Sequence, residues 1–155
     1  MKVYLVQHGN ALAKDVDPDR PLSEEGIRDV EKIAAFIKPL NLSISSIWHS
    51  GKTRAGQTAD ILAGAVKSSE GVTQHDCLSP NDDVTKIKDE LTGSKQDIMI
   101  VGHLPFLSRL ASLLISGSTE KEVVAFKQGG IVCLQADDRI NFQLGWMITP
   151  QLQSQ

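Results

Sequence analysis

Polar side chains able to do chemistry stand directly behind the apolar runs of this chain. Lys2–Val6 gives way to Gln7, His8, Gly9 and Asn10; Ser46–His49 delivers His49 and Ser50, with Arg54 shortly after; Asp97–Val101 stops at Gly102 and His103. A neutral imidazole, with an ordinary pKa of ~6.5, offers a lone pair that can attack phosphorus. Arginine supplies paired N–H donors that fit anionic oxygens. Two histidines and an arginine on one rim therefore suit the capture and transfer of a phosphoryl group. Taken singly, a histidine at a strand end is ordinarily a hydrogen-bonded rim residue, and an arginine on a helix a solvated one. The convergence carries the reading.

Competing chemistries fit less well. Gly51-Lys52-Thr53 has the tail of a phosphate-binding P-loop, but that loop needs a glycine where Ser46 stands. His49, His75, Cys77 and His103 lack the close ligand pairs of zinc sites, so no metal or other cofactor is expected.

The elements that must position these groups follow from periodicity. Lys2–Val6 is β-branched and aromatic without helical spacing, the pattern of a strand buried on both faces. Asn10–Pro21 is a polar loop, long enough to suggest a function. Ser23 is the expected N-cap of a helix with Glu24 and Glu25 in its first turn and Ile27, Val30, Ile33, Ala34 and Ile37 inside, ended by Pro39. A second strand, Ser46–His49, leads into a helix whose inner face is Ala55, Thr58, Ala59, Leu62 and Val66. A weak strand near Thr73–Leu78 precedes a helix capped by Pro80-Asn81-Asp82 and carrying Val84, Ile87 and Leu91. Asp97–Val101 is a buried strand, and Pro105 opens a helix with Leu107, Leu110, Ala111 and Leu114 inside. Ile131–Gln135 and Ile140–Ile148, joined through Asp137-Asp138, read as a closing hairpin, with Pro150 and the glutamine-rich tail frayed. Alternating strands and helices predict an α/β sandwich: a mostly parallel central sheet with helices on both faces and a C-terminal antiparallel hairpin. Residues 1–150 are expected to form one domain, with 151–155 as a tail. Open sheets of this kind bind ligands beyond the carboxyl ends of their strands, where the polar clusters fall.

Composition agrees with one ordinary core. The chain has 155 residues, 41% of them hydrophobic, and a formal net charge of −3. No basic arm or polybasic patch for nucleic acid or membrane is evident. Cys77 and Cys133 are isolated, and no signal peptide or membrane span is legible, so a cytoplasmic protein is expected.

Four blocks in order resemble one known family. Val3-Tyr-Leu-Val-Gln-His-Gly-Asn-Ala11, Arg20-Pro-Leu-Ser23 with Gly26, His49-Ser-Gly-Lys-Thr-Arg-Ala-Gly-Gln-Thr-Ala59 and Val101-Gly-His-Leu-Pro105 are similar to the histidine phosphatase superfamily, and within it to the short SixA-type phosphohistidine phosphatases. The resemblance implies a three-layer, phosphoglycerate mutase-like fold and a metal-independent phosphatase working through a phosphohistidine intermediate. It implies that His8 is the nucleophile, that Arg54 and His103 grip the phosphoryl oxygens, and that Gln7, Asn10, Arg20 and Ser50 complete the binding set. The implied ligand is phosphate or vanadate, and the implied partner a phosphohistidine-bearing protein such as a phosphotransfer domain in a signalling relay. Where the family signature reads Arg-His-Gly, this chain has Gln7-His8-Gly9. Glutamine keeps two N–H donors but loses the charge and the fork, so an attenuated enzyme, a site rescued by Arg20 or Lys52, and a phosphate-binding module without turnover all follow. For the general acid only Asp15, Asp17, Asp82 and Asp83 offer themselves, without a motif. A small-molecule phosphomonoesterase would need one of them.

Overall fold

The computed structural model describes residues 1–153. Its centre is a six-stranded sheet built from β1 (Lys2–Gln7), β3 (Ser46–His49), β5 (Val72–Gln74), β6 (Ile98–Gly102), β7 (Ile131–Ala136) and β8 (Phe142–Ile148), in the order β5-β3-β6-β1-β7-β8. The first four of that order run parallel, while β7 is antiparallel to β1 and β8 to β7. β2 (Ser43–Ile44) and β4 (Lys67–Ser68) form a separate parallel pair.

Four helices cover both faces: α1 (Glu24–Ile37), α2 (Thr53–Ala63), α3 (Val84–Ser94) and α4 (Phe106–Ser116). The side chains of β1 explain the layering. Val3 and Leu5 pack among residues of α3 and α4, whereas Tyr4 and Val6 pack among those of α1 and α2. All four are essentially buried. A strand apolar on both faces is what a sheet sandwiched between helices demands.

Helix starts follow local chemistry. Ser23 caps α1, its Oγ accepting from the Gly26 amide, with Glu24 and Glu25 in the first turn. The cap of α3 is Asp83, one residue beyond the expected Pro80-Asn81-Asp82; its carboxylate accepts from the Thr85 amide, while Asp82 closes the preceding turn onto the Ser79 amide.

Other expectations shift in detail. Ile27 is 37% exposed, and the buried position it was expected to fill belongs to Gly26. A Cβ on Gly26 would lie 2.1 Å from the Asn10 carbonyl oxygen, so α1 and the loop after β1 approach too closely for a side chain. Val66 lies beyond α2 and is only half-buried. Ile140 belongs to the turn before β8 rather than to the strand, with a φ of 61°; Asp137 closes that turn by accepting from the Arg139 and Asn141 amides. Pro150 is buried and opens a 3₁₀ helix, Pro150–Gln153, that packs on α1, so this part of the tail is ordered against the domain. Residues 154 and 155 lie outside the described residues.

Candidate active site

Strand register aligns the polar ends. Gln7 pairs with Gly102 across β1 and β6, and His49 with Val101 across β3 and β6, so His8, His103 and Ser50 emerge on the same carboxyl rim. The two imidazoles are adjacent, with ring centroids 5.0 Å apart and planes tilted by 52°.

His8 is 8% exposed, and its Nδ1 lies 2.7 Å from the Gly9 carbonyl oxygen. A carbonyl only accepts, so Nδ1 carries the ring proton and Nε2 is left with a free lone pair. The surrounding backbone is fixed as well. The His8 amide donates to Gly102, the Gly129 amide donates to the Gln7 carbonyl, and the Gly9 amide donates to Thr58 Oγ1 at 3.1 Å. Thr58 is fully buried on α2 and itself donates to the Arg54 carbonyl. It locks the histidine loop to the helix that carries Arg54. Its only sequence signal was a hydroxyl on an otherwise apolar helix face.

His103 is 2% exposed, with Nε2 at 2.6 Å from Ser50 Oγ. The same hydroxyl accepts from the Lys52 amide at 3.3 Å. Ser50 is thus spent on orienting His103 rather than left free. Asn10 is likewise engaged: its Oδ1 accepts from Ser23 Oγ at 2.6 Å and its Nδ2 donates to Gln128 Oε1 at 3.3 Å, tying the loop to the cap of α1. Arg20 has a left-handed backbone, with φ 47°, and donates from Nε to the Leu12 carbonyl.

The electrostatics are one-sided. Burial lowers the His8 pKa below its ordinary value, opposed by the Gly9 hydrogen bond and reinforced by Arg54 and Arg20. Burial, then His8, Arg54, Lys52 and Arg20, pushes His103 down to about 3. Arg54 is lowered by burial and by Arg20. Both imidazoles are therefore neutral at pH 7, among cations with no carboxylate opposing them. α2 repeats the pattern: it has no acidic residue in its first turn, but Lys52 and Arg54 at its positive end. Among the described residues, the buried side-chain polar atoms without a hydrogen-bond partner are Gln7 Oε1, Arg54 Nε and His103 Nδ1, all from this rim.

These histidines make folding acid-sensitive. Their folded pKa values lie below the unfolded value of ~6.5, so the stabilisation is complete above that pH and is lost as pH falls below it, for His103 down to about 3. His103 alone would cost up to ~2 kcal/mol by pH 5. Urea melts at pH 7.5 and pH 5 should show this loss, and His103→Asn should reduce it; equal slopes in both proteins would refute the assignment.

Neutral imidazoles, guanidinium groups and buried polar atoms without partners thus share the carboxyl rim of a mostly parallel sheet. Residues 3–79 match the family model of the histidine phosphatase superfamily, branch 1. A structure of the protein histidine phosphatase SixA complexed with tungstate superposes with a TM-score of 0.84 at 22% identity, over 98% of this chain and 99% of that one. The α-ribazole phosphatase from Shigella flexneri gives 0.77 at 16% identity, over 97% of each chain. An uncharacterized protein of Picosynechococcus is 28% identical over 144 residues, 88% of this chain and 86% of its own length. The chain belongs to the histidine phosphatase superfamily and has its phosphoglycerate mutase-like fold.

Proposed function

We propose that this protein removes phosphoryl groups from phosphohistidine on a protein, with His8 as the transient phosphate acceptor. The observation that carries the reading is the rim of unpartnered buried donors, Arg54 Nε and His103 Nδ1, at the cationic start of α2. A buried donor without a partner costs ~1–3 kcal/mol, and a tetrahedral dianion would satisfy both. The tungstate held by the SixA structure is an oxyanion of that shape.

The chemistry follows from the tautomers. His8 Nε2 attacks phosphorus, and the P–N bond to the substrate imidazole, protonated from solvent on its other ring nitrogen, breaks to release the neutral ring. The Gly9 carbonyl holds Nδ1–H throughout and steadies the charge that develops on the phosphorylated ring. Ser50 Oγ–H donating to His103 Nε2 leaves Nδ1–H free for a phosphoryl oxygen, beside Arg54. Water then attacks the phosphoenzyme, releasing phosphate and neutral His8.

The carboxylates favour this leaving group. Asp83 caps α3, Asp82 holds the Ser79 amide and Asp17 the Asp19 amide, so three of the four candidate acids serve turns or caps. An alkoxide needs a proton from a general acid. A phosphohistidine ring, which solvent can protonate on its other nitrogen near neutral pH, leaves as neutral imidazole, whose conjugate acid has a pKa of only ~6.5, and needs no enzyme acid.

Turnover of a phosphohistidine peptide and a phosphoserine peptide, measured in parallel at pH 7, tests the proposal. The first should be hydrolysed at least ~100-fold faster. Comparable rates would indicate a phosphomonoesterase, and phosphate binding without turnover of either would indicate a binding module.

A further inference from the structure

The Gly9 carbonyl that fixes the His8 tautomer belongs to a residue held in turn by a side chain. Gly9 is buried, and its amide donates to Thr58 Oγ1 at 3.1 Å. That hydroxyl lies 2.8 Å from the Arg54 carbonyl oxygen, which can only accept, so its single proton is on that side and a lone pair faces Gly9. The direction of the whole chain follows: His8 Nδ1–H to the Gly9 carbonyl, Gly9 N–H to the Thr58 hydroxyl, hydroxyl to the Arg54 carbonyl. The helix itself does not call for a hydroxyl here. Ala55, Ala59 and Leu62 share the buried face of α2 with Thr58, and valine has the same branched shape without the polar atom. Gly9 carries no side chain that could anchor it, since a Cβ would lie 2.9 Å from Val30 Cγ2. Its torsions are soft, so its carbonyl can turn from the His8 ring unless its amide is held. Beyond it, the Asn10 carbonyl accepts from the Ser23 amide.

We propose that Thr58 is a positioning residue: its hydroxyl, acting through Gly9, keeps the ring proton of His8 on Nδ1 and so keeps Nε2 as the lone pair offered to phosphorus. The inference rests on the function proposed above and deepens it. Arg54 and Thr58 stand four residues apart on one face of α2, so the same hydroxyl also ties the nucleophile's loop to the turn that presents Arg54. A His8 ring with its proton on Nε2 would present an N–H where attack needs a lone pair. Such a ring still binds an anion but cannot accept a phosphoryl group. The two tautomers therefore separate binding from turnover.

Nitrogen NMR of isotope-labelled imidazole rings at pH 8, inorganic phosphate titrations and turnover of a phosphohistidine peptide test this in the wild type, Thr58→Val and Thr58→Ser. In the wild type, His8 should carry its proton on Nδ1 and the Gly9 amide should exchange slowly with solvent. Thr58→Val should populate the Nε2–H form and lower kcat/KM by about tenfold. It should bind inorganic phosphate at least as tightly as the wild type, because Nε2–H adds a donor. Thr58→Ser, which keeps the hydroxyl, should stay within about twofold of the wild type in turnover and phosphate binding and retain its tautomer. Loosened packing alone would weaken phosphate binding and turnover together and leave the tautomer as it was. Should Thr58→Val not fold, Thr58→Ala makes the same comparison. A wild-type ring protonated on Nε2, a rapidly exchanging Gly9 amide, or a folded hydroxyl-free variant that keeps the wild-type tautomer overturns the inference. The phosphatase reading falls separately, on a wild-type protein that leaves the phosphohistidine peptide intact.

Discussion

His8→Ala should abolish hydrolysis of a phosphohistidine peptide, with a loss on the order of 10⁴-fold or more, and should remove the acid-labile, base-stable label left by brief exposure to a phosphoramidate donor. The size of the effect follows from how few groups could replace the imidazole. His103 is nearby, but its Nε2 faces Ser50 at 2.6 Å and its pKa of about 3 marks a poorly basic, strongly desolvated ring. His49 accepts the Gly51 amide on Nδ1, and His75 is held between Glu90 and the Asp76 carbonyl. Only His8 combines a buried position, an Nδ1–H fixed by a carbonyl and a free Nε2. The backbone there is held by three other segments, so truncating the ring should leave the fold intact, and matching thermal melts would confirm this. Label persisting on His8→Ala at the wild-type level would move the nucleophile elsewhere and end the proposed mechanism.

The parts of this architecture legible in the sequence were those set by burial on two faces. β1 and β6 are apolar at every interior position because helices cover both sides of the sheet, and their polar successors mark the rim without ambiguity. Ser23 was legible because side-chain capping is a local event. Contacts made across the fold were not. Gly26 takes the inner place expected of Ile27 because the Asn10 carbonyl crosses α1 at that point, which no periodicity reports. β2 and β4 have two residues each, too short for any alternation to register. Thr58 reads as one more position on an apolar stripe, yet it fastens the histidine loop to α2. Ser50 and Asn10 were expected to meet the substrate; their polar atoms are instead committed to His103 and to the start of α1, and this makes them positioning residues in the proposed site. The connection from α4 to β7 carries no periodic pattern at all. Its place beside the site depends on hydrogen bonds from Gly129 to β1 and its end, which only the folded chain displays.

The cations at the rim give the second large expected effect: Arg54→Ala should lower kcat/KM for a phosphohistidine peptide by about 10²–10³-fold, the usual loss when a charge-stabilising donor is removed from a transition state. Arg54 is held ready for an anion by its position in the first turn of α2 and by a buried Nε without a partner. Arg20 should matter more than its place in a loop suggests, because its charge acts on His8, Arg54 and His103 alike. Its guanidinium is near enough to depress His8, Arg54 and His103 together, while Gln7 leaves a buried amide oxygen unsatisfied. Gln7→Arg should exchange a neutral contact, worth ~0.5–1.5 kcal/mol, for a charged one, worth ~1.5–3 kcal/mol, and raise kcat/KM by up to roughly tenfold, the gain shrinking to the extent that Arg20 already supplies the charge. If Arg20 substitutes for the absent arginine, its loss will be damaging in the wild type and mild once position 7 carries a cation. A double-mutant cycle over positions 7 and 20 should therefore show coupling of at least ~1 kcal/mol, since compensating residues couple and independent ones add. Strict additivity would assign Arg20 to loop structure through its Leu12 bond alone. Should Arg54→Ala bind and hydrolyse as the wild type does, the anion is not held at the start of α2, and the proposed site is in the wrong place.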